Sequence, residues 1–161
     1  MYLLDNETTR LIKAEIVLGQ MKEMPLKKDG WNFNWRTKIK TKNSTTYIIR
    51  LKSNPSKVQG VLCLKREGEM LIMDLVEIAP INIGKEKRYS YVAGCLIAFA
   101  CQETFKMESS YKGFLSFESK TKLIKWYQKN YYAQVAMGQK MFIDPVGGER
   151  LIYEYLKRKN N

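Results

Sequence analysis

An almost continuous apolar run between residues 70 and 78 limits what this chain can fold into more than any other feature. The run is interrupted only by Asp74 and Glu77, a pattern typical of a β-strand that is buried on both faces. Pro80 follows it, and residues 91–106 then have the spacing of an amphipathic helix. Because such a strand needs neighbouring strands and covering helices, the sequence predicts an α/β or α+β fold.

The segments around this strand–helix unit predict a mostly antiparallel central sheet flanked by helices. Residues 47–52 and 58–65 are expected to pair across a turn-rich cluster, and residues 113–118 and 141–143 to add two strands. The other predicted elements are a helix over 6–24, a strand over 31–42, a helix over 119–131 capped by Ser119, and a helix over 146–159. We expect residues 1–161 to form one domain, because no linker or repeat interrupts them.

The absence of histidine restricts the chemistry that is open to this chain. It excludes Ser-His-Asp and Cys-His triads, so any proton transfer must use Asp, Glu, Tyr, Lys, Cys or water. The three cysteines, Cys63, Cys95 and Cys101, lack the spacing of a metal or disulfide site, so we expect core positions and no metal. With no recognisable secretion signal or membrane-spanning run, these unpaired cysteines predict a cytoplasmic protein without a membrane partner.

The chain is strongly basic, with 28 Lys and Arg against 16 Asp and Glu, a net charge of +12. Residues 30–66 contain nine cations and no carboxylate. Side chains alternate along a strand, and one face of the predicted strand over 31–42 would carry Arg36, Lys38, Lys40 and Lys42. Such a row is either a solvated sheet edge or a surface for an anionic macromolecule, such as RNA or an acidic protein.

The loop between the buried strand and the long helix is a candidate phosphate site. A helix N-terminus presents backbone N–H groups that have no acceptor within the helix, and these groups bind phosphate. Three cations, Lys85, Lys87 and Arg88, precede the helix. Ala93 and Gly94 leave room for close approach to the backbone. The loop therefore predicts binding of a phosphate-containing ligand.

The residues of this loop also resemble a known family. The loop sequence is Arg88-Tyr89-Ser90-Tyr91-Val92-Ala93, and the helix continues Gly94-Cys95-Leu96-Ile97-Ala98-Phe99-Ala100. This stretch resembles the R/Q-x-x-G-x-G/A loop and x-x-L-L-x-x-A helix of the GNAT acyltransferases (GCN5-related N-acetyltransferases). The family's first loop glycine is replaced by Tyr91. Upstream, Ile78-Ala79-Pro80 is similar to the V-x-P end of a family strand, and downstream Tyr127 matches the tyrosine of F-Y-x-x-x-G-F.

The resemblance implies a GNAT-like fold in which the family's fourth and fifth strands splay apart. Acyl-CoA, most simply acetyl-CoA, would place its pantetheine in that gap, and an amine would attack the thioester directly. The strand backbone around Ile78 and Ala79 would bind the pantetheine. The residues implied at the diphosphate are Arg88, Tyr89, Ser90, Tyr91, Val92, Ala93 and Gly94.

The resemblance also implies roles for three ionisable side chains. Tyr127, a phenol with a pKa of about 10, would donate a proton to the thiolate leaving group. Glu77 is the first candidate for the base that deprotonates the amine, and Asp74 is the second. These carboxylates are three residues apart on one strand, so they point to opposite faces, and only one faces the site, unless a bulge intervenes.

Several functions stay open at this point. The first is an N-acetyltransferase whose amine acceptor is unknown. The second is a basic nucleic-acid-binding module without catalysis, and the two combine if the amine is carried by an anionic macromolecule. The third is a degenerate relative that binds CoA or no ligand, because Tyr91 replaces the loop glycine. The closing helix is of a kind that often pairs two copies, which predicts a homodimer.

Overall fold

The computed structural model describes residues 1–160 and contains a nine-stranded sheet. The strands are β1 (Tyr2–Asp5), β2 (Arg10–Leu18), β3 (Ser44–Leu51), β4 (Asn54–Glu67), β5 (Met70–Ile78), β6 (Tyr89–Ser90), β7 (Leu115–Glu118), β8 (Gln134–Met137) and β9 (Lys140–Ile143). They are arranged in the order β6-β1-β2-β3-β4-β5-β7-β9-β8. Within the described residues, every strand pairing is antiparallel except the pairing of β5 with β7.

Within residues 1–160, four α-helices cover the sheet, and all except the first pack on the larger of its two cores. They are α1 (Trp35–Lys38), α2 (Val92–Thr104), α3 (Ile124–Tyr131) and α4 (Pro145–Leu151), which continues as a π-helical turn over Ile152–Leu156. One face of α2 packs on β4, β5 and β7, and α4 with its π-helical turn packs on α2. A smaller core around Trp31 and Trp35 lies against other side chains of the sheet, including Ile48 and Val61. No helix in residues 1–160 combines the length and apolar composition needed to span a membrane.

The central predictions are confirmed. The apolar run forms β5, which lies between β4 and β7. The predicted helix after Pro80 forms α2, although it is buried over most of its surface and not on one face alone. The four strands β2 to β5 form an antiparallel meander. All three cysteines are buried, and burial raises the pKa of both Cys95 and Cys101 to about 12. The predicted fold class, a mostly antiparallel sheet flanked by helices, is therefore the observed one.

The sheet opens between β5 and β7. These two strands pair only at Leu71 with Leu115 and at Ile72 with Ser116, near their first residues. On the other side of β5, the register with β4 shifts so that Asp74 is an extra, bulged residue. A bulge bends its strand and increases the local twist. Beyond this point β5 and β7 no longer pair, and a gap lies between them.

The predicted helix over residues 6–24 is wrong, because this segment lies largely in a β-hairpin. Thr9 has a left-handed backbone with φ 58°, and its N–H donates to Asp5 O at 2.8 Å, which closes the turn between β1 and β2. The side chains that reach the core, Ile12, Ala14 and Ile16, alternate along β2. This period of two, and the strand preference of β-branched residues, outweighs the helical spacing of the leucines.

The predicted strand over residues 31–42 is also wrong. Trp31 and Trp35 are both buried, but Trp31 lies in the irregular segment before α1, where the N–H groups of Asn32 and Phe33 donate to Glu77 instead of to a neighbouring strand. Asn34 caps α1 by accepting a hydrogen bond from Thr37 N at 3.2 Å. Consequently the four cations do not form a row on one strand face, and Lys38 forms an ion pair with Asp74.

Smaller corrections concern the C-terminal half. Ser119 does not cap a helix over 119–131: its hydroxyl donates to Lys120 O at 2.9 Å, and α3 begins only at Ile124. The closing helix begins at Pro145, where the Asp144 carboxylate accepts from Gly147 N at 2.8 Å. Three short strands, β1, β6 and β8, were not predicted.

Candidate active site

The gap between β5 and β7 forms a cleft of about 210 Å³. One wall is the downstream half of β5, and the other is formed by the end of β7 and the start of the α3 region. Its lining includes Asp74, Val76, Phe117, Lys120 and Tyr127. Phe33, from the segment before α1, also lines the cleft. Three segments that are distant in sequence therefore meet where β5 and β7 separate.

Tyr127 projects from α3 into this cleft. Its ring packs against Phe117 of β7, with 4.8 Å between centroids, and against Trp126 at 4.9 Å. Burial raises the pKa of the Tyr127 phenol, because a phenolate is poorly solvated there. The hydroxyl therefore stays protonated at neutral pH and can act as a proton donor.

Asp74 and Glu77 both contact the segment over residues 31–41, although they are three residues apart on β5. Opposite faces were expected unless a bulge intervened, and a bulge does occur at Asp74, which changes the alternation of side chains. Asp74 forms an ion pair with Lys38 and lines the cleft. Glu77 lies deeper, with 7% of its surface exposed.

The Glu77 carboxylate is surrounded by donors. It accepts hydrogen bonds from Asn32 N at 2.6 Å, Phe33 N at 3.3 Å and Trp35 Nε1 at 2.8 Å. These bonds fix the segment that carries Phe33 against the sheet. They also compensate the cost of burying a charge. The observed contacts of Glu77 are thus those of an anchor for one wall of the cleft.

A second cavity, of about 330 Å³, lies at the N-terminus of α2. Ile78 of β5 and Trp126 of α3 line it, and each is one or two residues from a lining residue of the first cavity. The remaining lining includes the backbone and side chains of residues 89–94 and Lys87. The two cavities are therefore neighbours along β5 and α3, one at Tyr127 and the other at the loop that resembles the acyl-CoA loop.

The N-terminus of α2 presents free backbone donors at this cavity. Its first helical hydrogen bond runs from Cys95 N to Tyr91 O at 2.9 Å, so the N–H groups of residues 92–94 have no acceptor within the helix. Ala79 N is not available in the same way, because it donates to Gln59 O at 2.9 Å. The geometry at residues 92–94 suits an anionic group such as a diphosphate.

Tyr91 adopts the backbone conformation that usually requires glycine. Its φ is 79° and its ψ is 5°, and it is the N-cap residue of α2. The ring turns towards the C-terminal segment, where the Arg158 guanidinium lies 4.0 Å from its centroid and Tyr155 packs edge-on at 6.3 Å. Tyr155 also covers Gly94, where a Cβ atom would lie 2.1 Å from Tyr155 Cε1.

The Arg88 side chain is engaged outside the cavity. Its Nε and Nη2 atoms donate to the two oxygens of Asp5, both at 3.1 Å, and Nη1 is 3.1 Å from Glu7 Oε2. Because of this guanidinium, the pKa of Asp5 lies below its ordinary value. The other predicted loop residues, Tyr89, Ser90, Val92 and Ala93, line the cavity.

Asp5, Phe33 and Asn82 were not predicted from the sequence to lie at or beside the site. The signal for Asp5 would have been the short apolar run Tyr2–Leu4 that ends in this acidic residue. Asn82 is 2% exposed, donates to Gln59 Oε1 at 2.9 Å and accepts from Tyr89 N at 3.0 Å. No pattern in the sequence indicates that Gln59 and Asn82 are in contact.

Comparison with solved structures identifies the fold. No protein-family model and no curated protein sequence matches this chain. The structure of AtaTR bound with AcCoA matches 87% of this chain and 98% of its own, at 12% identity and a TM-score of 0.61. The KacTA-DNA complex matches over 74% and 79%, at 12% identity and a TM-score of 0.55.

A third similar structure is a spermidine N-acetyltransferase, the SpeG K23-Q34 chimera from Vibrio cholerae and hSSAT. It matches 91% of this chain and 99% of its own, at 11% identity and a TM-score of 0.53. These proteins are GNAT acetyltransferases, and the parallel pair of β5 with β7 in this chain fits the splay of that fold. The chain has the GNAT fold, as its loop motif predicted.

Proposed function

We propose that this protein is an N-acetyltransferase that moves the acetyl group of acetyl-CoA to an amine. The observation that carries the proposal is that one cavity at the N-terminus of α2 and another at Tyr127 both lie beside β5 and α3, where β5 and β7 separate. A thioester with an anionic end and a reactive end fits two such neighbouring sites. AtaTR, which shares the fold, is bound with AcCoA in its structure.

The donor end binds the diphosphate through the backbone. The N–H groups of residues 92–94 donate to it, and Lys87 adds a positive charge at the cavity. Ile78 lines the passage through which the pantetheine reaches the gap. Arg88 contributes through its position in the loop rather than through its guanidinium, which is occupied by Asp5.

The reaction needs one proton to be removed and one to be supplied. The amine nitrogen attacks the carbonyl carbon of the thioester, the new C–N bond forms as the C–S bond breaks, and Tyr127 protonates the departing sulfur. Asp74, which lines the cleft, is better placed than Glu77 to accept the amine proton, directly or through water. Glu77 is already an acceptor for three donors.

The acceptor is an amine that approaches beside Phe33 and Lys120. Exposed cations near this wall, including Arg36, Lys40 and Lys42, favour an amine on an anionic macromolecule such as RNA or an acidic protein. Two proteins of the same fold have different partners, since one is a spermidine N-acetyltransferase and another is in a complex with DNA. The predicted homodimer remains part of this proposal.

The first experiment measures donor binding. Acetyl-CoA at about 100 times its dissociation constant should stabilise the folded protein by about 2.7 kcal/mol, seen as a rise in Tm. Retention on nucleic acid that falls steeply with salt, without any effect of acetyl-CoA, would instead support a nucleic-acid-binding module. No response to either ligand would contradict both functions.

The second experiment measures transfer. Release of the CoA thiol from acetyl-CoA is followed with a panel of amines that includes spermidine, a lysine-containing acidic peptide and an amine-bearing RNA. Amine-dependent release establishes the reaction and identifies the acceptor class. Tight binding of acetyl-CoA without amine-dependent release would support a degenerate relative that retains only the donor site.

A further inference from the structure

The N-terminal hairpin holds the donor loop through a paired strand and a buried carboxylate. Strand β1 pairs with β6, with Leu4 opposite Ser90 and Asp5 opposite Tyr89. Asp5, which is 4% exposed, receives two hydrogen bonds from the Arg88 guanidinium. A bidentate arrangement of this kind fixes orientation as well as distance.

Asn6 adds three contacts at the same place. Its backbone N–H donates to Arg88 O at 2.9 Å, and its side-chain Nδ2 donates to Lys87 O at 3.0 Å and to Ser90 Oγ at 3.0 Å. The turn of the hairpin therefore contacts the backbone or side chain of three of the four residues that immediately precede Tyr91.

The loop is held from the opposite side as well. Asn82 accepts from Tyr89 N at 3.0 Å, and Arg88 N donates to Ile81 O at 2.8 Å. The short strand β6 therefore lies between two sets of hydrogen bonds. Tyr91 follows directly, in a left-handed conformation that only a well-determined backbone maintains in a bulky residue.

We propose that Asp5 is a positioning residue of the donor site, which holds Arg88 so that the N–H groups of residues 92–94 face the diphosphate. This inference rests on the proposed function, since it assigns a role within the same donor site. Donors fixed before the ligand arrives bind more tightly than donors that must be ordered on binding. The hairpin thus acts on acetyl-CoA without contacting it.

Calorimetry with CoA as the probe tests this role in four variants. Asp5→Asn and Arg88→Gln should each raise the dissociation constant of CoA about tenfold. Because both remove the same interaction, the double variant should bind CoA no more weakly than either single variant. Arg88→Lys, which keeps one cation for Asp5, should retain more affinity than Arg88→Gln. Hydrogen exchange at residues 88–94 should accelerate in Asp5→Asn.

The matched control is Glu15→Gln, which removes the carboxylate partner of Arg50 (2.9 Å) on the neighbouring strand pair. It should leave CoA affinity unchanged, and Tm of each variant shows that the protein remains folded. If Arg88 itself bound the diphosphate, Asp5→Asn would free it and affinity would stay equal or rise, which would overturn the inference alone. Failure of the unaltered protein to bind CoA would overturn the proposed function and the inference with it.

Discussion

The two ends of the cleft are built from different parts of the polypeptide. At the donor end, the cavity is lined by the start of α2, where the N–H groups of residues 92–94 have no acceptor within the helix, and by residues of other elements such as Lys87 and Trp126. At the other end, the lining consists of side chains from three segments, and the two carboxylates of β5 are already paired with the segment over residues 31–41. The donor end therefore depends on backbone conformation, and the acceptor end depends on side-chain identity.

This difference determines how each end responds to substitution. A backbone site tolerates a change of side chain provided that the conformation is kept, as Tyr91 shows by occupying a glycine conformation. A side-chain site loses its contacts when one atom is exchanged. We therefore expect the largest effects of single substitutions at the acceptor end.

The replacement Tyr127→Phe should have the largest effect. Removal of the phenolic proton should slow acetyl transfer by about 10²-fold or more, because the thiolate then leaves without a proton donor. Binding of acetyl-CoA should be nearly unchanged. The measurement is the rate of CoA thiol release with a saturating amine from the panel, together with calorimetry for the donor.

The control for this variant is Tyr47→Phe. Tyr47 also has a pKa raised by burial, and its ring packs on Phe99 at the same centroid distance of 4.8 Å, but it does not line either cavity of the cleft. Its replacement should leave the rate unchanged. Equal rates for Tyr127→Phe and the unaltered protein would remove Tyr127 from the role of acid.

The next largest effect concerns the free energy of unfolding, which should fall by different amounts when each of the two carboxylates of β5 is replaced. Glu77→Gln should lower the free energy of unfolding by about 2 kcal/mol, because a buried acceptor of three hydrogen bonds loses its charge and directs an amide NH₂ at donors. Asp74→Asn should cost less than about 1 kcal/mol, since its pair with Lys38 is partly exposed. Urea unfolding measures both.

The same pair of variants also tests the assignment of the base. If Asp74 accepts the amine proton, Asp74→Asn slows transfer more than Glu77→Gln does in the folded fraction of each protein. The opposite order of rates would return Glu77 to the role of base. It would also show that the Glu77 carboxylate can give up one of its hydrogen bonds to the segment over residues 31–41 and accept one from the substrate amine instead.

The donor end was the part that sequence could predict, for a physical reason. Short-range features define it: an apolar strand, a proline, a basic loop and an amphipathic helix are consecutive in the chain. Their local preferences agree with the final packing, and β5 and α2 form as predicted. Tyr91, which replaces the loop glycine of the motif, has a left-handed backbone of the kind that glycine adopts readily.

At the acceptor end, Tyr127 and Asp74 were predicted, but the wall formed by residues 31–42 could not be, because long-range contacts decide it. Residues 31–42 alternate as a strand would, but the buried pair Trp31 and Trp35 and the anchor Glu77, more than 40 residues away, select a short helix. The bulge at Asp74, which turns it to the same segment as Glu77, follows from the pairing of β5 with β4. Strand pairing partners are not encoded in either segment alone.

The smallest expected effect is that of Tyr91→Gly, which restores the glycine of the family motif. Relief of the left-handed conformation should stabilise by about 1 kcal/mol, and loss of the Arg158 contact with the ring should cost about the same. The net change in unfolding free energy should therefore stay within about 1 kcal/mol. CoA affinity, measured by calorimetry, should not fall, because the N–H groups of residues 92–94 are unchanged.

This variant decides whether the donor end truly depends on the backbone. A loss of CoA affinity beyond about tenfold, with Tm maintained, would show that the Tyr91 ring itself contacts the donor. The contrast between the two ends would then disappear, since both would depend on particular side chains. Suppose instead that Tyr91→Gly binds CoA as tightly as the unaltered protein, whereas Asp5→Asn binds it more weakly. CoA affinity would then depend on the loop conformation that the hairpin maintains, and not on the side chain at position 91.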